Sequence, residues 1–195
     1  MATNPTDIRH YYSLDEYFAL EHAGDARYEY WNGDIVCMSG GTRAHGRISG
    51  NIHYRLAHAV EGTLCEAFTA DTAIFTPAIP PYRYPDASVA CDVSEYRNVN
   101  GVDALANPVL IVEVLSPSTA VRDHEAKFAA YQAIPTFREY LLVAQDEPRV
   151  IHYWREGHEL WQRQNIAGLD ATIALRSIDC TLRMNELYQG VAFPV

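Results

Sequence analysis

The chain has 195 residues, 48% of them hydrophobic, which is enough for one well-buried core and too few for two, so a single domain spanning 1–195 is expected. Its net charge of -10 excludes a broad nonspecific surface for a polyanion and confines any nucleic-acid contact to a local patch. No apolar run approaches the ~20 residues that span a bilayer, and the N-terminus lacks a basic stretch followed by an apolar one, so a soluble cytoplasmic protein without membrane contact is expected.

In chain order, Ser13-Leu-Asp-Glu16 forms a capping box, with Tyr12 and Tyr17 placed as a hydrophobic staple, and predicts a short helix to about His22. Arg27 to Trp31, Asn32-Gly33 and Asp34 to Met38 read as a β-hairpin, because Asn-Gly tolerates the positive φ angles of a tight turn. Ile48, Ile52, Leu56 and Val60 recur at steps of four and predict an amphipathic helix from about Arg43 to Val60, closed by Gly62. Leu64 to Ile74 reads as one or two strands broken near Asp71. Pro77, Pro80, Pro81 and Pro85 then force a loop.

Asp86 to Asp92 is the next strand, Ser94 to Asn107 a polar connection, and Val109 to Leu115 a strand apolar enough to be buried on both faces. A helix capped by Ser118 or Thr119 and stopped at Ile134-Pro135 follows, then a strand from Glu139 to Ala144. Val150 to Trp154 and His158 to Gln162 form a second hairpin around Glu156-Gly157, and the tail from Ile178 reads as a last strand and a short helix. The whole is an α/β protein with a mixed β-sheet and flanking helices, preceded by an N-terminal helix and hairpin. Cys37, Cys65, Cys91 and Cys180 lack metal-ligand spacing and are expected to be reduced thiols.

The chemistry centres on Glu113, the one carboxylate inside the most apolar strand. An ionised carboxylate there must be protonated, paired with a cation or bound to a metal. Lys127, the chain's only lysine against fourteen arginines, lies on the helix that follows. Hard divalent ions take oxygen ligands, and Asp86 at a strand start with Glu113 on another strand supplies two carboxylates for Mg²⁺ or Mn²⁺, with the Val114 carbonyl as a third ligand. Lys127 would orient the attacking water or neutralise charge on the phosphate. The plainer reading of Lys127 is an exposed ion pair with Asp123, four residues before it on the helix. Arg43 and Arg47, flanking a glycine-rich stretch, are candidates to meet substrate phosphates.

Tyr84-Pro-Asp86, Ile111-Val-Glu-Val-Leu-Ser-Pro-Ser-Thr119, Lys127 with Tyr131, and Arg138-Glu-Tyr-Leu-Leu-Val143 together resemble the Uma-type restriction endonucleases, a branch of the PD-(D/E)xK nuclease superfamily. The resemblance extends to Arg27-Tyr-Glu-Tyr-Trp-Asn-Gly-Asp-Ile-Val36 and His45, covering roughly residues 11 to 155. It implies a restriction-endonuclease-like core, Asp86 and Glu113 as metal ligands, Lys127 as catalytic lysine, Glu29 as a further acid of the site and His45 as a substrate-binding candidate. One departure stands out: the superfamily's lysine lies two residues after the acid, where this chain has Leu115, so the lysine looks displaced onto the helix. The expected activity is metal-dependent hydrolysis of DNA phosphodiester bonds by a homodimer. Two other functions fit the same residues: an inactive nuclease-fold binding or regulatory protein, and a phosphodiesterase acting on small nucleotides.

Overall fold

The structure, a computed structural model, describes residues 10–24, 26–38, 41–115, 123–157 and 160–193. They fall into two compact units, Met1–Gly40 and Gly41–Val195. In the first, α1 (Leu14–Ala23) starts at the capping box: the Glu16 amide donates to Ser13 Oγ at 3.2 Å while the Ser13 amide donates to Glu16 Oε2 at 2.7 Å. Strands β1 (Tyr28–Trp31) and β2 (Asp34–Cys37) pair antiparallel across Asn32-Gly33, whose φ angles of 47° and 96° are those the hairpin turn demands. Tyr17 packs on Tyr30 and donates its hydroxyl to the Tyr28 carbonyl, joining α1 to the hairpin.

The second unit runs α2 (Arg43–Ala59), β3 (Cys65–Thr69), β4 (Ile74–Phe75), β5 (Tyr82–Arg83), β6 (Ala87–Cys91), β7 (Tyr96–Val99), β8 (Val102–Leu105) and β9 (Pro108–Leu115). After a π-helical turn, Asp123–Lys127, come α3 (Phe128–Gln132), β10 (Glu139–Ala144), β11 (Arg149–Glu156), β12 (Leu160–Ala167), β13 (Thr172–Leu175), β14 (Cys180–Arg183) and α4 (Met184–Leu187). Six strands form the main sheet in the order β12-β11-β10-β9-β6-β3, antiparallel except for the central β9–β10 pair. That parallel pair requires a crossover, and the segment carrying α3 supplies it.

Alternation along β9 divides the core. Leu110, Val112 and Val114 face one layer, where Ile48, Ile52 and Leu56 of α2 cover them. Ile111 faces the other, with Tyr131 of α3 and Tyr140 and Leu142 of β10. Glu113 has the parity of Ile111 and therefore points toward α3. Rings of Phe128, Tyr131, Phe137, Tyr140, Tyr153 and Trp161 pack around one another in this layer, with centroids 4.6 to 6.5 Å apart.

Several expectations change. The connection from Ser94 to Asn107 contains the β7–β8 hairpin, turning at Asn100-Gly101 with φ of 47° and 84°, and the proline loop contains β5. Strands β5 and β7 join β4 and β8 in a second sheet ordered β5-β4-β8-β7, whose strands of two to four residues are too short to carry an alternation that can be read. The tail contributes a hairpin, β13–β14, before α4. The four-thiol expectation fails: Cys65 and Cys91 sit directly opposite on β3 and β6 and form a disulfide, whereas Cys37 and Cys180 are not disulfide-bonded. Two widely spaced cysteines became neighbours through strand pairing, which spacing does not encode. The expected cap at Ser118 or Thr119 lies outside the described residues. Among the described residues, no helix is long and apolar enough to cross a membrane.

Candidate active site

Glu113 is 3% exposed and held from the helical layer: Lys127 Nζ donates to Oε2 at 3.0 Å and the Tyr131 hydroxyl donates to Oε1 at 3.0 Å. Lys127 closes the π-helical turn and Tyr131 lies four residues on in α3, so one helical face presents both donors to one carboxylate. Single-turn π segments recur at functional sites because they re-aim side chains that a regular helix would place elsewhere. Lys127 is itself only 3% exposed, so its ion pair with Glu113 is a buried one and not the exposed helix pair the plainer reading expects. Removing two charges from water costs several kcal/mol per ion, which offsets much of the attraction between them, so the pair is weak evidence for added stability.

Asp86 enters from the neighbouring strand. Its amide donates to the Val112 carbonyl at 3.1 Å and its Oδ2 accepts the Val114 amide at 2.7 Å, so main chain and side chain bind the residues on either side of Glu113. Pairing of Ala87 with Val112 brings the chain to this point, and Pro85 just before it contributes no donor. The second oxygen, Oδ1, faces α2: His45 Nε2 is 3.3 Å away and Ser49 Oγ donates at 3.4 Å. Both contacts are long, leaving Oδ1 the less engaged oxygen of the pair.

His45 is held from two sides. Its amide donates to the Thr42 hydroxyl that caps α2, and its ring folds over Gly41, where a side-chain carbon would approach Nδ1 to 3.0 Å. Beyond β10, Gln145 is buried against the same helix end, its Oε1 accepting the Thr42 hydroxyl.

Asp86, Glu113, Val114, Lys127 and His45 are thus brought together at the end of the parallel pair β9–β10. Arg43 and Arg47 lie on another side of α2 and line a cleft of 460 Å³ with Gly46, Gly50 and Asn51. Glu29 belongs to the first unit, where it is buried on β1 and accepts the Trp31 indole N–H at 3.2 Å. Three residues of the arrangement have no role in the sequence reading. Tyr131 and Ser49 were findable, each one helical turn from a candidate, at Lys127 and His45. Gln145 was not, because only the pairing of β10 with β9 carries it there.

Among the described residues, no group of three or more His, Cys, Asp or Glu side chains is arranged to hold a metal ion. The donors expected from the sequence are the two carboxylates of Asp86 and Glu113 and the Val114 carbonyl. All are hard oxygen donors, and Mg²⁺ sites commonly use one or two carboxylates with water and substrate phosphate completing the shell. The residues fit that ion.

A family model described as "Uma2: Putative restriction endonuclease" matches residues 14–185. Two uncharacterized proteins of Synechocystis sp. are similar to the chain. Protein slr1290 is 32% identical over 181 residues, covering 93% of each chain. Protein sll1609 is 32% identical over 158 residues, covering 81% of this chain and 89% of its own. Among solved structures, a nuclease described as putative, of the DUF820 group from Anabaena variabilis, superposes with a TM-score of 0.68 at 18% identity, over 86% of this chain and 93% of that one. This likeness gives the fold.

Proposed function

Because the chain belongs to the Uma2 restriction endonuclease family, we propose that it is a metal-dependent nuclease that hydrolyses DNA phosphodiester bonds at the Asp86–Glu113 pair. The observation that carries this reading is the treatment of Glu113: a carboxylate buried in the core, gripped by the only lysine and a tyrosine, and bracketed by the two hydrogen bonds of Asp86. A fold that needed only stability would place an apolar side chain there at lower cost.

Asp86, Glu113 and the Val114 carbonyl would hold Mg²⁺ or Mn²⁺. When bound, such an ion lowers the pKa of a coordinated water and polarises the phosphate. The protein's own residues set the stage. Lys127 and Tyr131 fix the rotamer of Glu113, and the Val114 amide fixes Asp86 through Oδ2, leaving Oδ1 toward the open side. Lys127 supplies the positive charge beside the reacting phosphate and orients the attacking water, the role the superfamily gives to a lysine two residues after the acid. His45, ring toward Asp86 Oδ1, meets the substrate from α2. The aromatic layer behind Glu113 keeps water out and strengthens these interactions. Cutting both strands of a duplex calls for two such centres, most simply in a homodimer.

Calorimetric titration of Mn²⁺ tests the ligand assignment. Wild-type protein is expected to bind the ion, and Asp86→Asn and Glu113→Gln to lose at least tenfold in affinity; equal affinity in all three would remove both residues from the metal site.

A further inference from the structure

The solvent side of α2 runs against the habits of a helix. Gly46 and Gly50 occupy its interior, where glycine is the least favourable residue after proline. Neither has a positive φ, and a side-chain carbon built on either would meet nothing within 4 Å among the described residues. Nothing in the packing of the described residues asks for these glycines. The charges are equally misplaced: the first turn has no acid, and Arg43, His45 and Arg47 crowd the positive end of the helix dipole. Neither arginine forms an ion pair among the described residues.

These features share one surface. At 100° per residue, Gly46, Gly50 and Arg43 follow one another around the helix, with Arg47 and Asn51 beyond them. His45 and Ser49, which reach Asp86, border the glycines on the other side. Asn51 ties the far wall of the cleft to the C-terminal segment by donating to the Leu187 and Gln189 carbonyls at 2.9 and 3.0 Å.

An independent sign of an absent ligand stands at the helix end. Gln145 is 7% exposed, and its buried Nε2 has no acceptor among the described residues. The Thr42 hydroxyl accepts the His45 amide and donates to Gln145 Oε1, so the carboxamide NH₂ is the end without an acceptor among the described residues. Buried donors without partners are rare because they forfeit their hydration. The first amides of α2 likewise have no acceptor within the helix.

We propose that this face of α2 is a track for the sugar–phosphate backbone of a nucleic acid. Arg43 and Arg47 hold phosphates, the bare surface at Gly46 and Gly50 lets the strand lie against the helix, and Gln145 Nε2 with the Arg43 and Ala44 amides takes a phosphate oxygen next to Asp86. The inference rests on the nuclease reading of Asp86 and Glu113, to which it adds how an acidic protein grips a polyanion.

The test is binding of a short fluorescein-labelled DNA duplex in Ca²⁺, followed by anisotropy across a salt series, with melting temperature as the folding control. Gly46→Leu/Gly50→Leu is expected to melt at or above wild type, since leucine is the better helix former, and to bind at least tenfold more weakly. Arg43→Gln/Arg47→Gln should weaken binding and reduce the salt slope by about 1 per arginine. A charge-matched control, Arg97→Gln/Arg163→Gln, should bind as wild type does. Wild-type affinity in the leucine variant, equal losses in the charge control, or no duplex binding by the wild type would each overturn the track. Hydrolysis of bis(p-nitrophenyl) phosphate by the wild type with Mn²⁺ is measured beside it. Duplex binding that depends on α2 without any diester hydrolysis would sink the nuclease reading and leave the track standing.

Discussion

Lys127 and Glu113 neutralise each other inside the core, so each makes the other tolerable. Removing one partner strands a buried charge, a change that typically costs about 3–5 kcal/mol. Lys127→Met and Glu113→Leu should each destabilise the protein on that scale in urea titrations, whereas the double variant should recover most of the loss. Additive losses would mean that the two side chains are not coupled in the folded protein. Tyr131→Phe deletes one hydrogen bond to a charged acceptor and should cost about 1.5–3 kcal/mol. Much of this was legible beforehand. A lone carboxylate in the Val109–Leu115 run required a partner, and the sole lysine was the nearest candidate. What the sequence does not carry is the choice between an exposed lysine paired with Asp123 and a buried one paired with Glu113, because a π-helical turn shifts the face on which Lys127 lands.

Elements show why the parallel pair β9–β10 is the organising unit. Each strand carries a buried acid, and the two acids face opposite layers: Glu113 toward α3, Glu139 toward the β13–β14 hairpin. Glu139 accepts His152 Nε2 at 2.9 Å, the Arg176 amide at 2.8 Å and the Ser177 amide at 2.7 Å, so it fastens the turn after β13 to the main sheet. Burial pushes its carboxyl up, but the hydrogen bonds from His152, Ser177 and the two amides outweigh it and hold the pKa below the ordinary 4.5. A depressed carboxylate stabilises the fold above its unfolded pKa, and that contribution is lost as pH falls through the folded value. Unfolding free energy should therefore drop as pH falls below about 4.5, and Glu139→Gln should flatten that acid limb; an unchanged limb would show that Glu139 is not what the acid titrates. At the sheet's edge, the disulfide between β3 and β6 closes 26 residues of sequence separation. Its removal in Cys65→Ser/Cys91→Ser should cost about 2–4 kcal/mol, read as a lower urea midpoint. An unchanged midpoint would deny it a stabilising role. Strong patterns made α1, the first hairpin, α2, β9 and β10 readable, since capping box, Asn-Gly turn, four-residue periodicity and unbroken apolar runs are local signals. Strands of two to four residues, such as β4, β5, β7 and β8, take their structure from sheet partners and leave little trace in the chain.

At the scale of the whole molecule, a net charge of -10 and a nucleic-acid substrate look opposed. Distribution offers a way to reconcile them: Asp86 and Glu113 sit at the sheet end, while Arg43 and Arg47, which form no ion pair among the described residues, lie on another side of α2, the sole helix of the second unit longer than five residues among those described. Two phosphate-contacting arginines give a shallow salt dependence with modest affinity, unlike the steep dependence of a broad basic surface that neutralises many phosphates. That concentration was not readable from composition, because the count of charges says nothing about which share a face. The central claim is that Asp86 and Glu113 form a metal-dependent nuclease centre. The most direct test is nicking of supercoiled plasmid at low salt by wild type and Asp86→Asn, each with Mg²⁺ or Mn²⁺ and again with EDTA. Wild type is expected to convert the plasmid to open-circular or linear DNA only with metal, and EDTA or the substitution, in a protein that still melts cooperatively, should abolish the conversion. Intact plasmid with folded wild type at every metal concentration, or undiminished cleavage by Asp86→Asn, would contradict the claim.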